Sequence, residues 1–188
     1  MSITIISRRF NELMKATNGQ LGQSASEWKC FLEFVDAYFG GRGVLNPVVV
    51  EIGVLHNCQK PFYVELLNAE HVGIDRGSQA DIVGDSRRPE TVEKLKVRLA
   101  GRPIDLLFID GDHAYASVKS DYEMYGPLTK HIIALHDISG SDAGRLWEEI
   151  TAIDKGNLLL TIQHYNPLTI GITAGYQMGI GLIIKEPA

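Results

Sequence analysis

At 188 residues, with 45% hydrophobic and 22% charged side chains, the chain has the size and texture of one folded domain, which excludes disordered, collagen-like and mucin-like classes. Eighteen Lys and Arg against 23 Asp and Glu give a net charge of −5, and no block of basic residues is present to follow a phosphate backbone, so no nucleic-acid partner is expected. Two cysteines, Cys30 and Cys58, lie far apart and outside any metal-ligand spacing, which fits reduced thiols in a cytoplasmic chain.

The opening MSITIISRRF has an apolar stretch too short for a signal peptide, and its arginines follow that stretch. We therefore expect a mature cytoplasmic N-terminus. No apolar run reaches the roughly 18 residues of a membrane span, so no membrane partner is expected either. Phe10, Leu13, Met14 and Thr17 recur at helical spacing and predict a first helix. Gly19 to Ser26 reads as a connector. Trp28, Phe31, Leu32, Val35 and Phe39 predict a second helix, which Gly40-Gly41 should end. Residues 1–43 thus form a helical extension, a lid or a dimer surface, ahead of a core at 44–188.

After Pro47 the texture changes. Val48 to Ile52 is a continuous β-branched run, as in a strand buried on both faces. A helix is predicted from Pro61 to Asn68, a strand from His71 to Asp75 and a short strand from Ala80 to Val83. The helix Pro89–Leu99 precedes a strand at Ile104–Ile109. Tyr115, Val118, Tyr122 and Tyr125 share one helical face, more in keeping with core packing than with a substrate wall. Ile132 to Leu135 is a buried strand, and Asp142 is placed to cap a helix carrying Leu146, Trp147, Ile150 and Ile153. Leu158–Ile162 and Ile180–Ile184 close the chain as a long hairpin, with one antiparallel strand at the end of an otherwise parallel sheet. Alternating strands and helices predict a doubly wound α/β domain.

Ligands of such sheets bind beyond the carboxyl ends of the strands. Five strands here each end near an acid: Glu51, Asp75, Asp85, Asp110 and Asp137. One such acid is ordinarily a turn former. Five on one rim repel each other and favour a cation or a hydroxyl-rich ligand.

VVEIGVLHNCQ, VGID, VGDS, LLFIDGDHAYASVKSDYEMYGPL and IIALHDI together resemble the class I S-adenosylmethionine-dependent methyltransferases, in the small-molecule O-methyltransferase branch with an IDGDH fourth strand. The resemblance covers about residues 46–184. It implies a seven-stranded Rossmann-like fold, S-adenosylmethionine as cofactor and a small-molecule acceptor. A homodimer is the common outcome for such folds. Cofactor-binding residues would be Glu51, Gly53, Asn57, Asp75, Asp85, Ser86 and Asp110, with Asp75 on the ribose and Asp85 and Ser86 beside the adenine. Asp110 and Asp137 would hold Mg²⁺ or another divalent cation, and His113 or His136 would serve as catalytic base or further ligand; a structural role for each stays open. The remaining histidines, His56, His71, His131 and His164, receive no role, and Lys119 and Asp121 are placed on a solvated face.

Three positions depart from the family pattern, the first being Gln59 where a serine is usual. Asn57 stands where a second glycine is usual, which should narrow the space beside the cofactor carboxylate. Ile138 stands where a further metal ligand is usual. Asn57 and Ile138 keep open a binding module that has lost catalysis. A nicotinamide-cofactor oxidoreductase is the third reading, weakened because Gly53 to Cys58 supplies only the first glycine of G-x-G-x-x-G.

Overall fold

The seven strands order as β3-β2-β1-β4-β5-β7-β6 in one sheet. They are β1 (Val48–Ile52), β2 (Glu70–Asp75), β3 (Ile82–Val83), β4 (Ile104–Ile109), β5 (Thr129–His136), β6 (Leu158–Ile162) and β7 (Ile180–Ile184). This computed structural model describes residues 3–163 and 178–185. β1 is buried at all positions, because helices cover both faces of the sheet and no position faces water. Strands β1 to β5 pair in parallel. The chain begins in the middle of the sheet, runs outward to β3, then crosses to β4. The β1–β4 boundary is therefore the point where the strand order reverses, which is where open α/β sheets form a crevice.

Helices α4 (Pro89–Leu99), α5 (Tyr115–Tyr125) and α6 (Asp142–Ile153) pack on one face, against Val48, Val50, Ile52, Ile74, Leu107 and Ile109. Helices α1 (Ile3–Ala16), α2 (Ala25–Gly41) and α3 (Lys60–Leu67) cover the other, against Val49, Leu106, Phe108, Ile132 and Leu182. Trp28 on α2 is 0% exposed. Its ring stacks on Phe31 at 5.3 Å and meets Tyr63 and Phe108 edge-on at 5.4 and 5.5 Å. Trp28 is thus part of a core. Tyr125 is also fully buried, and Tyr115 and Tyr122 pack against the same core, in line with the core reading of that stripe.

Four local expectations change. Helix α2 runs through Gly40-Gly41; the left-handed turn falls at Gly43 (φ 67°), and the Val44 amide reaches back to the Phe39 carbonyl at 3.0 Å. Ser141, not Asp142, caps α6, its hydroxyl accepting from the Gly144 amide at 3.2 Å. Asp142 instead accepts from the Tyr115 amide at 3.2 Å and ties α6 to α5. β3 shrinks to two residues, since only Ile74 and Asp75 of β2 offer it partners. Finally, the antiparallel strand β7 does not lie at the edge. It inserts between β5 and β6, where all its positions are buried and its aliphatic side chains contribute to both cores. The sequence between β6 and β7 reads as a further candidate for shaping an acceptor pocket, but most of that segment lies outside the described residues. Among the described residues, no helix is long and apolar enough to cross a membrane.

Candidate active site

A cavity of about 490 Å³ opens at the carboxyl ends of β1, β2, β4 and β5. At its floor Gly53 has φ 87°, and a Cβ there would fall 2.2 Å from the Asp110 carbonyl oxygen and 2.5 Å from Gly111 Cα. Only glycine fits, because the β1 and β4 loops meet at that atom. Asp75 stands at one end of the cavity. Its Oδ2 accepts the Val54 and Leu55 amides at 2.9 and 3.1 Å, and its Oδ1 accepts the Gly77 amide at 2.8 Å. Ser86 lines the same end, where its carbonyl accepts from the Tyr125 hydroxyl at 2.8 Å.

At the other end, Asp110, His113, His136 and Asp137 converge. Asp110 Oδ1 lies 2.9 Å from His136 Nδ1, and Asp110 Oδ2 accepts from Gln23 Nε2 at 2.7 Å. The His113 ring spans two carboxylates, with Nε2 at 3.5 Å from Asp110 and Nδ1 at 3.4 Å from Asp137. Asp110, His113 and Asp137 each offer a donor atom within 4.8 Å of the others, a set able to hold a metal ion. Burial pushes the Asp110 pKa up, but His136 and His113 outweigh it and hold the carboxyl below its usual value. The bond to Asp110 raises the His113 pKa, against burial and with help from Asp137. For His136, burial favours the neutral ring, yet Asp110 and Asp137 carry the net shift upward. Asp137 adopts φ 54°, a left-handed conformation that aspartate tolerates at a cost of about 1 kcal/mol.

Three of the expected cofactor residues do not line the cavity. Glu51 is 0% exposed on the sheet face covered by α2 and α3, with Oε2 2.7 Å from His71 Nε2; burial raises its pKa against that contact. Asp85 is taken up by Arg87 at 2.9 Å and Arg76 at 3.1 Å, and the Arg87 hydrogen bond holds it far below the usual carboxylate range. Asn57 has the left-handed φ of 56° expected of its position, but its amide donates to the Gln79 carbonyl at 2.9 Å. Its side chain therefore does not crowd the cavity. Of the five rim acids, Asp75, Asp110 and Asp137 face the cavity.

Other residues enter unannounced. Asp121, placed on a solvated face by the sequence, is 2% exposed and lines the cavity wall, where burial pushes its pKa up to about 6. His56, Gln59, Arg76 and Arg87 also line it, as do Gln20 and Gly22 of the α1–α2 connector. Composition marked that connector only as a linker, and nothing in it signals a site. Lys119 pairs with Glu149 at 2.7 Å on the outer surface. His71 is buried against Glu51 and stacks on Tyr63 at 5.2 Å, so it has a structural partner.

Residues 68–138 match the profile of a methyltransferase domain family. No curated protein matches the chain in sequence. Among solved structures, a candidate caffeoyl-CoA O-methyltransferase from Staphylococcus aureus superposes with a TM-score of 0.66 at 14% identity, over 98% of this chain and 97% of that one. An O-methyltransferase from Bacillus cereus, solved with SAH, gives 0.56 at 14% identity over 98% and 92%. The MycE methyltransferase of the mycinamycin biosynthetic pathway, solved with Mg and SAH, gives 0.55 at 17% identity over 82% of this chain. The chain spans about half the length of MycE, 49%. At these identities the likeness establishes a shared fold: the seven-stranded, Rossmann-like methyltransferase architecture.

Proposed function

We propose that this chain, which carries a methyltransferase domain over residues 68–138, moves the methyl group of S-adenosylmethionine to an oxygen of a small-molecule acceptor. The carrying observation is a single cavity at the strand-order reversal with Asp75 at one end and the Asp110–His113–Asp137 group at the other. A carboxylate has about four lone-pair positions. Three of those on Asp75 hold backbone amides, which fixes its direction and leaves acceptor capacity for a ribose hydroxyl. Obligatory Gly53 lets the loop pass close beneath the cofactor's amino-acid end.

The sulfonium already makes the methyl electrophilic, so the protein's task is alignment, exclusion of water and removal of one proton. His113 is the base best placed for that task. It is 41% exposed at the side chain, reaches the cavity, and is made more basic by the carboxylates at both ring nitrogens. In the neutral ring one nitrogen donates to its carboxylate and the other keeps a lone pair; the acceptor O–H proton passes to that lone pair as the oxygen takes the methyl, and SAH leaves uncharged at sulfur. His136, at 3% side-chain exposure, orients Asp110 instead.

The residues present also fit a divalent cation. The two carboxylates, Asp110 and Asp137, suit Mg²⁺ or Mn²⁺, and the His113 imidazole would extend the set toward softer ions such as Fe²⁺ or Zn²⁺. When bound, such an ion lowers the pKa of an acceptor hydroxyl. The catalytically silent reading loses one of its two supports, because Asn57 is turned away from the cavity. Titration calorimetry with S-adenosylmethionine, with SAH and with NAD tests the proposal, followed by transfer of labelled methyl to a panel of phenols and catechols. Binding of the first two and not the third is expected. No binding of either sulfur compound defeats the enzyme reading.

A further inference from the structure

Both carboxylate oxygens of Asp110 are already engaged, Oδ1 by His136 and Oδ2 by the Gln23 side-chain N–H. A cation approaching Oδ2 would meet that N–H head-on, donor against positive charge. Either Gln23 withdraws, or its amide turns over. The second breaks no bond except the one that the cation would replace. Gln23 is 7% exposed, and its Oε1 is shut off from solvent and has no hydrogen-bond partner among the described residues. A half-turn of the terminal amide exchanges Nε2 for Oε1 at nearly the same place, and the two orientations differ only in the partner they suit. With a bare carboxylate the N–H faces Asp110. With a hard cation on Asp110 the carbonyl oxygen is the better neighbour, since Mg²⁺ and Mn²⁺ prefer oxygen.

Asp110, His113 and Asp137 supply three donors, fewer than the six ligands that Mg²⁺ takes. Ile138 follows Asp137 in sequence, but its side chain is 8% exposed and packs in the core on the α5–α6 face. It contributes no donor. We propose that Gln23 supplies the missing oxygen: its amide inverts and Oε1 joins Asp110 and Asp137 around a divalent cation. The α1–α2 connector is then part of the metal centre, with Gln23 directly ahead of Ser24, the residue that opens α2. This rests on the metal part of the proposed function.

The test titrates Mn²⁺ alone into the full chain, without cofactor or acceptor, by calorimetry and by water-proton relaxation. Thermal unfolding is run first to show that each variant is folded. Gln23→Ala and the volume-preserving Gln23→Met should each weaken Mn²⁺ binding by about 10- to 100-fold, the range for losing one supporting group at a metal site. Relaxation per bound Mn²⁺ should rise as water takes the vacated position. Equal or tighter binding by either folded variant overturns the inference, because Gln23 would then only clamp Asp110 against the ion. A wild-type chain that binds no Mn²⁺ overturns the metal reading itself, which is a different result from a wild-type chain that binds and variants that bind equally.

Discussion

Asp75 holds a loop and a candidate ligand position with the same carboxylate. Removing it frees the Val54, Leu55 and Gly77 amides as well as any ribose contact. Asp75→Ala should therefore weaken S-adenosylmethionine binding by about 1.5–3 kcal/mol, roughly 10- to 150-fold in dissociation constant. Calorimetry on a folded variant with unchanged affinity would take Asp75 out of the cofactor site. Asp121 gives a prediction of a different kind. Its carboxyl is raised from 3.8 to about 6 by burial, against the Ser86 hydrogen bond and the Arg87 charge. The folded chain then binds a proton between those two values that the unfolded chain has released, so stability falls as pH rises from about 4 to 6 and stays reduced above. At about 1.4 kcal/mol per pH unit the loss is on the order of 2–3 kcal/mol. Asp121→Asn should raise the urea midpoint at pH 8 and leave it nearly unchanged at pH 4. A gain that is equal at both values would assign the effect to packing. The two residues differ in how legible they were. Asp75 ends an apolar run, and the strand-end rule places it. Asp121 sits on a helix, and the sequence does not say which face of that helix the sheet covers. Glu51 fails for a related reason: alternation along β1 puts it on the opposite face from Val50 and Ile52, and only the register with β2 shows that His71 waits there.

At the scale of elements, the strand and helix order was readable because each buried strand is a short aliphatic run and each helix keeps one apolar stripe. Pairing was less readable. Nothing local tells β7 to enter between β5 and β6, since β6 and β7 could equally form a hairpin with β6 inside; burial separates them, β7 being closed at every position and β6 partly open. The N-terminal helices show the same limit. Their stripes predicted helices but not that α2 would cap the sheet at Phe108. Trp28→Ala removes the ring that contacts Phe31, Phe62, Tyr63 and Phe108. Deleting a core aromatic typically costs about 3–5 kcal/mol. A large drop in melting temperature is expected, with any loss of cofactor affinity following from the fraction unfolded. A variant that keeps its melting temperature and loses only acceptor affinity would instead give Trp28 a part in holding the acceptor.

On the proposed function, the whole molecule separates two tasks along one cavity. Asp75 and Ser86 stand toward the β2–β3 side, and Asp110, His113 and Asp137 stand over β4 and β5. Ligands at the two ends need not share a protein atom. If the second end works through a divalent ion, excess chelator should abolish methyl transfer while calorimetry still finds S-adenosylmethionine binding within about a factor of three, a difference of roughly 0.7 kcal/mol. Removing the ion leaves Asp110 and Asp137 facing each other across His113, and that arrangement is self-consistent because the imidazole, when protonated, neutralises part of their charge. The apo chain should therefore stay folded in chelator. Full activity under the same conditions would point to His113 alone as the base. Transfer would then fall as pH drops through the His113 pKa, which the two carboxylates hold above its ordinary value of 6.5, and His113→Ala would abolish activity without changing cofactor affinity. A joint loss of turnover and cofactor binding in chelator would contradict both arrangements, because it would mean that one ion organises the two ends of the cavity together.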